Sequence, residues 1–213
     1  MRNRTDKYGL TLIEMLIVVG IIALLTAMII GIARRIDTQS KERLTENTIA
    51  IINTALGQFQ DYKYDYNDIN YRSFSFPLDC NDYVAFAATL ENALGLTAGS
   101  ITLTGGTHKP DYSGCEVMYF LLSQIPECRT TLDKIDKSLI TCKGSNNQNM
   151  SITVGGQIYP LLRIIDPWGT TLLYDYYDET VNPPNPKSRR TFPVVMSAGP
   201  DRIFGTNDDI KSK

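Results

Sequence analysis

The N-terminal third of the chain passes from polar to apolar and then to a mixed pattern. The first nine residues carry Arg2, Arg4 and Lys7 against Asp6, whereas from Met15 to Ala33 only Thr26 is polar. A helix of about 20 apolar residues matches the thickness of the bilayer hydrocarbon. The pattern therefore predicts a membrane-spanning helix over residues 10–33.

Apolar residues continue beyond Arg34 at the spacing of one helical face. The residues on this face are Ile49, Ile52, Ala55, Leu56, Phe59 and Tyr62. Such spacing is typical of an amphipathic helix, and no proline interrupts it. We therefore expect residues 34–62 to continue the first helix and to pack on a globular domain formed by residues 63–213.

The middle of the chain favours helices and turns, and the last third favours strands. Helices are predicted at Asp82–Leu96 and Cys115–Ile125, a turn-like segment at Gly99–Pro110 and a polar loop at Asn146–Asn149. Short β-branched or aromatic runs between Gly and Pro signals predict strands; these runs are Ile152–Val154, Tyr159–Ile165, Thr171–Tyr177 and Phe192–Met196. The expected fold class is α+β, with one small antiparallel sheet.

Glu14 is an ionisable residue at the start of the apolar run. Placing such a group inside a membrane segment costs about 3 kcal/mol on insertion scales, so it indicates a function. A secretory signal would have a small residue after its apolar stretch, but here Gly9 stands before it. The order predicts cleavage on the cytoplasmic side, with the apolar helix retained. A plain anchor with an interfacial carboxylate is the alternative.

The segment Gly9-Leu10-Thr11-Leu12-Ile13-Glu14 resembles the prepilin peptidase site of type IV prepilins and pseudopilins. The resemblance implies a type IV pilin-like fold, removal of the leader 1–9 after Gly9, and N-methylation of the new N-terminal residue, Leu10. It also makes Glu14 the assembly residue of a homopolymer. The partners it implies are a prepilin peptidase, an inner-membrane assembly platform and minor pseudopilins.

Electrostatics is consistent with that role for Glu14. Cleavage would expose an α-amino group with a reference pKa near 8, which is charged at neutral pH. An ammonium and a carboxylate are both costly in a dry helix bundle, and pairing them between neighbouring subunits offsets much of that cost. We therefore expect the pair to set the stagger of the subunits.

Two segments near the C-terminus narrow the resemblance to one group within this family. Asp166-Pro167-Trp168-Gly169 and the stretch from Ser197 to Ile210 are similar to the end of major pseudopilins of type II secretion systems. There the second segment binds calcium, which implies a site in residues 197–210. The implied ligands are Asp201, Asp208, Asp209 and the Ala198 carbonyl, although this loop is shorter than the usual pattern. A solvated acidic turn is the alternative.

Four cysteines are present, Cys80, Cys115, Cys128 and Cys142. In an oxidising compartment such cysteines normally pair. Of the three connectivities, we favour Cys80–Cys115 and Cys128–Cys142, which close the shortest loops. Free buried thiols are the alternative, and the close spacing of a zinc site is absent.

The net charge and the lack of catalytic motifs argue against two classes of function, nucleic-acid binding and catalysis. The net charge of −2 gives no electrostatic case for nucleic acid. His108 is the only histidine and is predicted to lie at the surface, and catalytic motifs are absent.

Three functions stay open. The first is a subunit of a type II secretion pseudopilus. Such a subunit would cross the bacterial inner membrane once, carry its C-terminal domain in the periplasm and assemble there into a filament. The second is a type IV pilin of a surface fibre for adhesion, motility or DNA uptake. The third is an anchored enzyme or binding domain. We expect the chain not to be an enzyme.

Overall fold

The computed structural model describes residues 12–65, 76, 87–88, 90–91, 94–177 and 189–212, without the side chains of 29–34, 63–65, 177 and 189–191. Gly9, Leu10 and Cys80 therefore lie outside the described residues. The chain divides into two compact units, Met1–Ser40 and Lys41–Lys213.

Helix α1 extends from Leu12 to Asp65. The backbone is helical through residues 34–62, the segment in which the N-terminal helix was expected to continue. In the described part of the chain, no helix combines the length and the apolar character that crossing a membrane requires. The predicted span 10–33 also includes residues 10 and 11 and the side chains of 29–33, which lie outside the described set.

The core of the second unit forms around the predicted apolar face of α1. Ile52, Ala55 and Leu56 have no exposed surface, and Ile49 and Phe59 are also buried. Because these residues recur every three or four positions, they form one stripe that the rest of the unit can cover. The amphipathic pattern therefore identified the face of the helix that packs.

Two shorter helices follow and cover this core. Helix α2 is Ser113–Ser123 and α3 is Pro126–Leu132, which begins with a proline at its first position, where the missing N–H is not needed. The Cys128 thiol donates to the Ala55 carbonyl of α1 at 3.3 Å. The predicted helix at Cys115–Ile125 is confirmed, with its bounds shifted by two residues.

The described strands form three small antiparallel sheets. Their bounds are β1 Ile101–Gly105, β2 Ile140–Thr141, β3 Met150–Val154, β4 Gln157–Pro160, β5 Arg163–Ile164, β6 Leu173–Tyr177, β7 Arg189–Ser197 and β8 Ile210–Lys211. The strand orders are β1-β3-β4, β2-β5 and β6-β7-β8. The expectation of a single sheet was therefore wrong.

The differences from the predicted elements have tertiary causes. The predicted turn at Gly99–Pro110 contains β1, because Ile101 to Gly105 pair with Val154 to Met150 of β3. The predicted strand Tyr159–Ile165 is divided between β4 and β5, which belong to different sheets. β1 depends on a partner about 50 residues away. β4 forms a local hairpin with β3, whereas β5 pairs with β2, more than 20 residues earlier, and local composition does not reveal where one strand ends and the next begins.

Two other predictions can be checked on described residues. Residues 87–88, 90–91 and 94 of the predicted helix 82–96 are helical, and Gly95 follows with a positive φ of 66°, a common helix stop. The predicted loop at Asn146–Asn149 is confirmed as a turn, with Asn147 at φ 63°.

Candidate functional site

The first unit presents an unusually apolar surface. Glu14 lies in the first turn of α1, where a negative charge is favourable to the helix dipole. Large apolar side chains are exposed on every side of it; they include Leu12 (86%), Ile13, Leu16, Val19, Ile22, Leu24 (72%) and Met28. Exposed apolar surface of this extent marks a surface that binds a partner or a membrane.

The Asp166-Pro167-Trp168-Gly169 segment forms a tight turn organised by the Asp166 carboxylate. Asp166 is 2% exposed. Its Oδ1 accepts the backbone N–H groups of Trp168 at 3.0 Å and Thr170 at 2.8 Å. Gly169 closes the turn at φ 91°, a conformation that favours glycine. The turn is therefore held by a buried and well-satisfied carboxylate.

The same carboxylate reaches the C-terminal loop. Ser197 Oγ donates to Asp166 Oδ2 at 2.7 Å, and it accepts the Gly199 N–H at 3.1 Å. Both late segments that carried the resemblance are thus in direct contact through Asp166 and Ser197. Residues 31 positions apart in sequence form one structural unit at the start of the loop.

The three predicted aspartates lie in this loop, and most of their described oxygens bond to protein groups. Asp208 Oδ2 accepts the Asp201 N–H at 3.1 Å, and Thr206 Oγ1 donates to Asp208 Oδ1. The Thr206 hydroxyl, followed by backbone N–H groups, lowers the pKa of Asp208. Asp209 Oδ2 accepts the Gly205 N–H at 2.9 Å.

The loop offers one oxygen that suits a cation. Asp209 Oδ1 is buried without a hydrogen-bond partner, and the Asp209 side chain is 1% exposed. However, the described residues hold no group of three or more His, Cys, Asp or Glu side chains arranged for a metal ion. Calcium also accepts backbone carbonyls as ligands. Any calcium here would need backbone carbonyls in addition to the carboxylates, and Ala198 is fully buried at the start of the loop.

The expected disulfides are not found. Cys115, Cys128 and Cys142 are free thiols, so neither Cys80–Cys115 nor Cys128–Cys142 is formed. Cys115 and Cys128 instead bond to backbone groups of the core, Ile164 and Ala55. Burial raises the pKa of each of these two thiols to about 12. They are therefore protonated and unreactive at neutral pH, because the thiolate is the nucleophile.

A buried charge network also contradicts the prediction that His108 lies at the surface. The His108 side chain is 10% exposed, and its Nε2 lies 2.8 Å from Oε2 of Glu116, whose side chain is fully buried. Arg163 Nη1 donates to Glu116 Oε1 at 3.4 Å. Helix α2 follows His108 closely in sequence, and its Ser113 and Glu116 side chains contact the histidine. The turn signals around His108 predicted the turn but not the fold of this helix back onto the ring.

This network is not a catalytic triad. Ser113 Oγ lies 3.3 Å from His108 Nε2, the same nitrogen that meets Glu116. A serine–histidine–acid relay needs the serine and the acid on opposite ring nitrogens. The sequence pattern did not single out Glu116, although it is a lone carboxylate inside an apolar run, the same signal that singled out Glu14.

Comparison with known protein families finds a match, and it lies in the N-terminal segment of the chain. A family model described as the prokaryotic N-terminal methylation motif matches residues 4–30. This match supports a type IV pilin-like protein. No curated protein and no solved structure matches the chain.

For a pilin-like chain, the motif implies processing by a prepilin peptidase and polymerisation of the pilus type. It also suggests a bacterial protein that is anchored in a membrane or assembled into a pilus, and it points to a structural protein instead of an enzyme. The α+β architecture is compatible with the pilin-like fold.

Proposed function

We propose that this protein is the structural subunit of a type II secretion pseudopilus, a filament that helps to export proteins. The observation that carries the proposal is the exposed apolar helix α1 with Glu14 in its first turn, within the matched methylation motif. The turn at Asp166 and the loop it contacts support the secretion system over a surface fibre, because their sequences resemble the end of major pseudopilins.

In this proposal the mature chain begins at Leu10, and its methylated amine pairs with Glu14 of a neighbouring subunit. An ammonium and a carboxylate attract each other more strongly in an apolar bundle than in water. A subunit in the wrong register would bury both charges unpaired, at a cost of about 3–5 kcal/mol. The pair therefore selects one stagger between neighbouring subunits, while the apolar side chains stabilise the contact between their helices.

The location that follows is the bacterial inner membrane, with the second unit in the periplasm. Assembly would require the peptidase, a platform in the inner membrane and minor pseudopilins. The direct test is mass spectrometry of the mature N-terminus, purified from the membrane of the native host. We expect a chain that starts at Leu10 and carries one methyl group; a chain that keeps Met1–Gly9 would contradict the proposal.

Substitution tests the role of the acid. Glu14→Leu should abolish filaments seen by electron microscopy, because the neighbouring amine loses its counter-charge. The matched control is Glu46→Leu, an exposed carboxylate of the same helix, which should leave filaments intact. Equal assembly of the two variants would overturn the pairing.

A deletion strain separates the two filament functions. We expect deletion to retain exported proteins in the periplasm, and complementation to restore their release. Normal export together with a loss of surface fibres, adhesion, motility or DNA uptake would instead establish the type IV pilin alternative.

We further propose that the loop 197–210 binds calcium through Asp209, Asp201 and Asp208 with the Ala198 carbonyl. The unpartnered Asp209 Oδ1 supports this assignment. A ligand that binds the folded state at 100 times its Kd adds about 2.7 kcal/mol of stability. Millimolar calcium, but not magnesium, should therefore raise the Tm of the full chain in nonionic detergent.

Asp209→Asn and Asp201→Ala should remove the calcium response. Asp111→Asn, an exposed acid outside the loop, is the control and should retain the response. An unchanged Tm in the parent protein with calcium would refute the calcium site without affecting the filament proposal.

A further inference from the structure

A cavity of about 510 Å³ lies in the second unit, beside the charge network of Glu116 and Arg163. Its volume falls in the range of small-ligand and peptide-side-chain sites, about 300–1,000 Å³. The basic side chains of Lys109, Arg163 and Arg202 line it, against the single carboxylate of Asp111. Arg163 is paired with Glu116 behind this lining, so three cations face two carboxylates and a small excess of positive charge remains.

Arg163 is held in place before any ligand arrives. Its guanidinium stacks on the Tyr112 ring at 3.7 Å. It donates to Thr171 Oγ1 at 3.1 Å, to the Lys143 carbonyl and to Glu116. A guanidinium carries five N–H donors, and these bonds use three. A fixed arginine loses little entropy when it binds a carboxylate, which favours recognition.

The other two basic residues lie where a ligand can reach them. Lys109 and Arg202 are both exposed, and Lys109 Nζ lies 5.9 Å from the centre of the Tyr112 ring. Apolar surface completes the wall through Leu173 and Phe204, which are 36% and 39% exposed. The cavity therefore combines cationic groups with an apolar and aromatic lining.

We propose that this cavity binds an acidic peptide segment. A carboxylate side chain of the peptide meets Lys109, Arg163 and Arg202, and an adjacent apolar or aromatic side chain packs against Tyr112, Leu173 and Phe204. A lone inorganic anion would use the charge but leave the apolar wall uncovered, which is why a peptide fits better. None of the residues that line this cavity belongs to helix α1. Peptide binding at the cavity can therefore be tested independently of the filament function.

The test is fluorescence anisotropy of the full chain in nonionic detergent. The probe is a labelled peptide, Gly-Tyr-Asp-Tyr-Asp-Gly, and its partner carries Asn in place of both Asp residues. We expect the acidic peptide to bind, the Asn peptide to bind at least 10-fold more weakly, and affinity to fall with added salt. Equal binding of the two peptides, or no binding, would overturn the proposal.

Charge substitutions locate the site. Lys109→Gln and Arg202→Gln should each weaken binding about 3- to 10-fold, the effect of losing one charge-assisted contact. Asp111→Asn should strengthen binding about 2-fold, because it removes the repelling carboxylate. Lys137→Gln, at an exposed lysine outside the cavity, is the control and should change nothing.

Competition identifies the chemistry of the ligand. Unlabelled acidic peptide should displace the probe, whereas inorganic phosphate at the same concentration should not. If phosphate competes as well as the peptide, the cavity is a simple anion site and the peptide assignment is wrong. A loss of affinity in Lys137→Gln equal to that in Lys109→Gln would likewise show that binding does not occur at this cavity.

Discussion

Ser197 Oγ donates a hydrogen bond to Asp166 Oδ2 at 2.7 Å, and both residues are buried. The bond joins the turn at residues 166–169 to the loop that begins at residue 197. Because Asp166 Oδ1 also accepts two backbone N–H groups, one carboxylate fixes the relative position of both segments.

Removing that carboxylate should destabilise the protein strongly. Asp166→Ala deletes the acceptor of three hydrogen bonds, and we expect a loss of about 3 kcal/mol in the free energy of unfolding. Ser197→Ala should cost about 1–2 kcal/mol, since Asp166 keeps its two N–H donors. Chemical denaturation of the full chain in detergent measures both values.

The double variant tests whether the two residues interact. Its loss in the free energy of unfolding should be smaller than the sum of the two single losses, because the residues are in contact. If the losses are simply additive, the bond contributes nothing.

The glycines of the C-terminal loop allow a matched comparison. Gly199 and Gly205 both have positive φ, 65° and 90°, but only at Gly199 would a Cβ meet backbone, 2.3 Å from the Asp208 carbonyl oxygen. Gly205 has nothing within 4 Å of that position. Both alanine variants bear the left-handed strain of about 1–2 kcal/mol. We expect Gly199→Ala to lower the Tm clearly further, and equal Tm values would contradict the close approach.

The pair Glu116–Arg163 should respond asymmetrically to substitution. Arg163→Met leaves the fully buried Glu116 carboxylate without its arginine, at a cost of about 3–5 kcal/mol. Glu116→Gln should cost less, because Arg163 keeps Tyr112, Thr171 and the Lys143 carbonyl. Thermal unfolding of the two variants gives the comparison. A larger loss for Glu116→Gln would mean that Arg163 depends mainly on this one partner.

The thiols give a test of the cysteine assignment. Burial raises the pKa of Cys115 and Cys128 to about 12, so thiolate is scarce at pH 8. Iodoacetamide should leave both unmodified in the native chain and label both after unfolding without reductant. Peptide mass spectrometry reads each site. If Cys128 required a reductant before labelling, a disulfide would be present and the free-thiol assignment would be wrong.

Much of the first helix could be predicted because its signals are local. The apolar run, the glycine before it and Glu14 are adjacent in sequence, and the stripe from Ile49 to Phe59 follows helical spacing. Helix α2 was found for the same reason. By contrast, β1 and the separation of β4 from β5 depend on strand partners about 50 residues away or in another sheet.

The sequence by itself determined the apolar helix with its acid, the amphipathic face that follows, and the α+β order of elements. These features depend on the periodicity of neighbouring residues. Only the tertiary structure decided that Asp166 holds Ser197, that His108 and Arg163 meet Glu116, and that three basic side chains line one cavity. Asp166–Ser197 and Glu116–Arg163 join segments 31 and 47 residues apart, whereas His108–Glu116 spans only eight residues. The energies of all three contacts come from burial and pairing that appear only when the chain is folded.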